Sequence, residues 1–142
     1  MYTIVRPGPF ICAEWAGGAY PRWLAKFCPD SYDTSFWLRS NHPEHMKWSE
    51  HWYNAVCRVF SEEQLTRKQP GEKGIIMVQL ENEYGSYGDD KIYLSALKNM
   101  IQKAGFDIPL LTCDRGGQIE AGHLEGVFPA INGVLGDDIL RL

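Results

Sequence analysis

The sequence predicts an α/β fold in which successive β-α units build a parallel sheet of about four strands. Two observations carry this. The run Gly74-Ile75-Ile76-Met77-Val78-Gln79-Leu80 is almost continuously apolar, as in a strand covered on both faces. Short β-rich runs also alternate with amphipathic helical patterns along the chain.

Taken in order, Tyr2 to Val5 predicts the first strand, stopped by Arg6-Pro7-Gly8-Pro9 because proline cannot donate to a ladder. Residues 42 to 63 predict a helix: Pro43 suits a first turn, and apolar groups recur at Trp48, Trp52, Val56, Val59 and Phe60. Thr66 to Lys73 reads as a polar linker into the apolar strand. Asp89 and Asp90 offer capping carboxylates to a second helix with Ile92, Tyr93, Ala96, Leu97, Met100, Ile101 and Ala104 on its inner stripe, and Gly105 stops it. Ile108 to Cys113 predicts a further strand, and Gly126 to Ile131 a weaker one after a short helical or irregular connector at Gln118 to Leu124. The chain enters its first strand at once, without the basic segment and apolar run of a secretory leader, and this abrupt start predicts further sequence upstream.

Composition narrows the function. The 142 residues are 44% hydrophobic, enough for a core of one domain. A formal charge of -4, and no basic run longer than Arg67-Lys68, argue against nucleic acid as a partner. No apolar stretch has the length of a membrane span. Cys12, Cys28, Cys57 and Cys113 form no C-x-x-C pair and read as mostly buried thiols. His42, His45, His51 and His123 lack the H-E-x-x-H spacing and read as surface residues, so neither a metal nor an organic cofactor is implied. The five tryptophans suit a site that stacks sugar faces, and equally suit a core.

Two clusters carry chemistry. Gln79-Leu80-Glu81-Asn82-Glu83-Tyr84-Gly85 places two carboxylates and an amide where the buried strand runs out, the strand end that faces the active site in a β/α barrel. If the strand persists, Glu81 and Glu83 share a face; the same pair is also compatible with loop carboxylates satisfied by solvent or arginine. The second cluster runs from Arg6 to Trp15 and on through Gly17-Gly18-Ala19-Tyr20-Pro21-Arg22-Trp23-Leu24. Its carboxylate and tryptophans suit a grip on a sugar, or a tight loop whose tryptophans pack.

Three segments, Arg6-Pro7-Gly8-Pro9-Phe10-Ile11-Cys12-Ala13-Glu14-Trp15, the G-G-x-x-P-x-W-L stretch after it, and Ile75 to Gly88, resemble in this order glycoside hydrolase family 35, the β-galactosidases. The likeness covers nearly the whole chain. One departure is that Gly17-Gly18-Ala19-Tyr20-Pro21 is one residue longer before its proline than the family's usual pattern.

The resemblance implies a partial (β/α)8 TIM barrel, approximately strands three to six, with residues 1–142 as a fragment of the catalytic domain. It implies hydrolysis of terminal β-D-galactose with retention, Glu83 acting as general acid/base and Asn82 bonding the sugar 2-hydroxyl. Cys12 and Ala13, mainly through backbone groups, and Glu14 through its side chain, match the segment that contacts galactose hydroxyls. Glu81 has no comparable role. The partner carboxylate, a strand-seven glutamate, lies beyond this chain, and neither Glu120 nor Glu125 matches its motif. The implied partner is a β-galactoside or galactose-containing glycan. A related exo-β-glucosaminidase specificity, and a barrel fragment that binds sugar without chemistry, stay open as alternatives.

Overall fold

The computed structural model describes residues 1–27 and 37–133. Strands β1 (Thr3–Val5), β2 (Ile75–Gln79), β3 (Leu110–Asp114) and β4 (Phe128–Ile131) form one sheet in the order β1-β2-β3-β4. All three pairings are parallel: Val5 lies beside Val78, Val78 beside Leu110, and Leu111 beside Phe128. The predicted parallel α/β sheet is therefore present, as an open sheet and not a closed barrel.

Helices α1 (Pro43–Phe60) and α2 (Lys91–Lys103) follow β1 and β2. The cap of α2 is the expected one: Asp90 accepts hydrogen bonds from the backbone N–H groups of Ile92 and Tyr93. Gly105, at φ 109°, lets the chain leave the helix. Helix α1 is capped by the His42 side chain, which accepts from the Glu44 N–H, with Pro43 in the first turn. A single turn, α3 (Ile119–Gly122), fills the predicted connector before β4.

The core lies where α2 meets the sheet. Tyr93, Leu94, Leu97 and Ile101 are buried against Val78, Leu80, Leu110 and Tyr53, each aliphatic side chain contributing about 1.5–3 kcal/mol by leaving water. Ile92, placed on the inner stripe from spacing alone, is 69% exposed, because the stripe that meets β2 is centred on Leu94 and Leu97.

Helix α1 departs further from expectation. It buries His45, Ser49, Tyr53, Val56 and Cys57, whereas Val59 is exposed and Trp52 is half-exposed. Trp48 and Trp52 instead border an apolar cavity of about 360 Å³ with Ile11, Tyr20 and Trp23. His45 is thus a core residue and not a surface one: its Nδ1 faces the Ser40 carbonyl at 2.8 Å and its Nε2 the Tyr20 hydroxyl at 2.9 Å. Of the cysteines, Cys57 is buried, Cys12 and Cys113 are half-buried, all three as free thiols, and Cys28 lies outside the described residues. No described helix is long and apolar enough to cross a membrane.

Candidate active site

Strand β2 ends at Gln79, and the chain then turns sharply. Glu81 and Glu83 both adopt left-handed backbone conformations, φ 58° and 49°. Residues with a side chain seldom occupy this region, at a cost of order 1–3 kcal/mol each, so surrounding bonds must hold them there. The turn overturns the expectation that the two carboxylates share a face, since that alternation requires extended backbone. Glu81 is driven inward to 1% exposure, while Glu83 stays half-buried at the strand ends.

Arg39, which no local sequence pattern marks, holds Glu81. Its Nε and Nη2 donate to the two Glu81 oxygens at 2.9 and 2.6 Å, and Nη2 also donates to the Asn82 carbonyl at 2.7 Å. The guanidinium lies 3.7 Å from the Phe10 ring centre and 4.7 Å from that of Tyr87, so it joins the first cluster to the second. Glu81 accepts further from the Tyr93 hydroxyl at 3.1 Å and the Asn82 N–H at 2.7 Å. Burial pushes the Glu81 carboxyl up, and the Arg39 guanidinium, the Asn82 N–H and the Tyr93 hydroxyl oppose that rise. Glu81 is an anchor for the turn.

Asn82 is buried and oriented. Its Oδ1 accepts from Arg6 Nη1 at 3.0 Å and from Gln79 Nε2 at 2.9 Å. With both donors on the oxygen, the amide N–H groups are the ones left to meet another molecule. Glu83 is tied to the sheet, its N–H donating to the Cys113 carbonyl at 2.9 Å. Its Oε1 accepts from Asn132 Nδ2 at 2.7 Å. Just beyond, Gly85 donates its N–H to Asp114 at 2.8 Å, and a Cβ there would stand 2.2 Å from the Gln118 carbonyl oxygen, so only glycine fits. Burial raises the Asp114 carboxyl, the Gly85 N–H counters this, and the Glu83 charge raises it further.

The second cluster, from Arg6 to Trp15, sits on α1: the Tyr53 hydroxyl donates to the Gly8 carbonyl at 2.7 Å, and Trp52 Nε1 donates to that of Pro7. Further along it Ala13 and Glu14 are exposed and Cys12 is half-buried. A hydrogen bond from the Cys12 side chain, then Glu14's own N–H, hold the Glu14 carboxyl below its usual range despite slight desolvation, with Arg6 adding a favourable charge. Among the described residues no bond joins Ala13 or Glu14 directly to Asn82 or Glu83. Arg6 is the link, bonded to Asn82 and close enough to act electrostatically on Glu14. Sequence reasoning singled out Asn82 and Glu83 but missed Arg39 and Asn132, whose partners lie on other elements; it also passed over Arg6 and Gln79, although both lay within motifs that could have drawn attention to them.

Comparison with known proteins agrees with the family resemblance. The model of a family described as Glycosyl hydrolases family 35 matches residues 1–138. A beta-galactosidase of Xanthomonas manihotis is 36% identical over 133 residues, covering 93% of this chain and 21% of that protein. Beta-galactosidase 17 of Arabidopsis thaliana is 37% identical, covering 96% of the chain and 19% of the relative. Human beta-galactosidase-1-like protein 3 is 34% identical, covering 93% and 19%. The chain thus spans about a fifth of the length of these relatives.

Proposed function

The chain belongs to glycosyl hydrolases family 35, and from that membership we propose that it carries the acid/base half of a retaining β-galactosidase site. Its four strands then correspond to strands three to six of a (β/α)8 barrel, and residues 1–142 are a fragment of that catalytic domain. The observation that carries the reading is the pairing of Asn82 and Glu83 at the C-terminal end of β2, an amide locked by two donors beside a half-buried carboxylate.

In this reading Glu83 protonates the glycosidic oxygen as its bond to the anomeric carbon breaks. A glutamate on strand seven, outside this chain, attacks that carbon from about 5–5.5 Å and forms a glycosyl-enzyme. Glu83, now a carboxylate, takes a proton from the water that releases galactose with its configuration retained. Asn82 donates its amide N–H to the sugar 2-hydroxyl, the direction that Arg6 and Gln79 leave to it. Glu14 binds galactose hydroxyls through its side chain, and Cys12 and Ala13 through backbone groups. The exposure of Ala13 and Glu14 and the ionised state favoured at Glu14 support a binding role.

The test is Glu83→Ala in the intact enzyme. Turnover of galactosides with poor leaving groups should fall by about 10²–10⁴, that of good leaving groups far less, because the latter need little protonation. Added azide should give a β-galactosyl azide. Equal losses on both substrates without azide product would remove Glu83 from the role and favour a barrel that only binds sugar.

A further inference from the structure

We propose that Asn132 is a positioning residue for the acid/base, holding Oε1 of Glu83 so that Oε2 is the oxygen that delivers and recovers the proton. The inference rests on Glu83 having the role given above. It arises from β3, the strand between the two residues. Glu83 N–H donates to the Cys113 carbonyl at 2.9 Å and Asn132 N–H to the Asp114 carbonyl at 2.8 Å. Consecutive carbonyls at the end of one buried strand therefore fix both backbones, and across them Asn132 Nδ2 reaches Glu83 Oε1 at 2.7 Å.

The chemistry of the pair divides the labour between the carboxyl oxygens. A side-chain amide nitrogen only donates, and its best acceptor on a protonated carboxyl is the carbonyl oxygen. The oxygen bonded to Asn132 is then the carbonyl one, and the hydroxyl is the other. When the proton leaves for the glycosidic oxygen, Asn132 continues to donate to Oε1 of the carboxylate, through a stronger, charge-assisted bond. When water is deprotonated in the second step, the proton returns to Oε2. Glu83 needs such a guide because its backbone is left-handed, at φ 49° and ψ 41°, on a turn outside the sheet ladder, and its side chain is half-buried.

The experiment compares phenyl β-galactoside with 2,4-dinitrophenyl β-galactoside in the intact enzyme. Asn132→Ala should lower kcat/KM for the phenyl substrate by about tenfold to a hundredfold, a part of the roughly 10²–10⁴ that acid/base catalysis supplies, and leave the dinitrophenyl substrate nearly unchanged. Asn132→Asp, of the same size but without the donor, should reproduce the selective loss. In a Glu83→Ala background Asn132→Ala should add nothing, since residues acting as a unit are not additive. Asn132 is exposed, so neither change disturbs the core. Equal losses on both substrates, or a further loss in the Glu83→Ala background, would overturn the proposal. If Glu83→Ala itself fails to discriminate the two substrates, the underlying assignment of Glu83 falls, and this inference falls with it.

Discussion

Arg39 grips both carboxylate oxygens of Glu81 across 42 residues of chain, at 2.9 and 2.6 Å, with the two side chains buried. Both residues have left-handed backbones, so the pair joins two strained turns and holds each against the other.

Breaking that pair from one side leaves a charge with no counterion in the core. Arg39→Met should therefore destabilise the intact enzyme by about 3–5 kcal/mol, read as a shift in urea unfolding. Arg39→Met with Glu81→Gln should recover much of the loss, because no buried charge is then unpaired. A single variant as stable as the parent would show that the turns are held by something else.

His45 ties stability to pH. Burial holds its imidazole down to about 4 against an ordinary 6.5, with the His42 and Arg39 charges acting the same way and the Ser40 carbonyl opposing. A depressed histidine pKa means that the unfolded chain takes up a proton between these values while the folded one does not. Stability is thus complete above about pH 6.5 and falls as the pH drops toward 4, by up to about 3 kcal/mol. Urea midpoints at pH 7.5 and 4.5 should differ less in His45→Gln than in the parent. Equal differences would remove His45 as the source.

Glu14 supplies a separate test of substrate contact. Replacing it by Gln removes the charge but keeps the shape, so inhibition of the intact enzyme by galactose should weaken by roughly tenfold to a hundredfold. The dependence of rate on leaving group should stay as it was, since Glu14 handles no proton in the proposed scheme. An unchanged inhibition constant would refute the binding role.

What could be foreseen follows from the range of each interaction. Strand β2 and helix α2 were legible because their signals are local: an unbroken apolar run, Asp90 at the cap, Gly105 at the stop. Asn82 and Glu83 were legible as a motif. The divergence of Glu81 from Glu83 was not, because left-handed torsions at two glutamates contradict local preference and exist only through Arg39, Tyr93 and the end of β3. His45 was misread for a similar reason: Ser40, Tyr20 and Tyr93 surround it in space, and only one of them is its near neighbour in the chain.

The sheet's strand order, the same as the chain order, has a consequence for biogenesis. Thr3 must find Ile75, Val78 then finds Leu110, and Leu111 finds Phe128, so each loop to be closed is shorter than the one before. The entropically hardest closure comes first, and every later strand is added to an edge already made. Synthesis from the N-terminal side delivers these strands in the order in which they can be used, and until β2 emerges the edge of β1 that pairs with it is unfilled. Slowing translation after Gln79 should therefore favour productive assembly, whereas a pause before Ile75 prolongs the interval in which the β1 edge is bare.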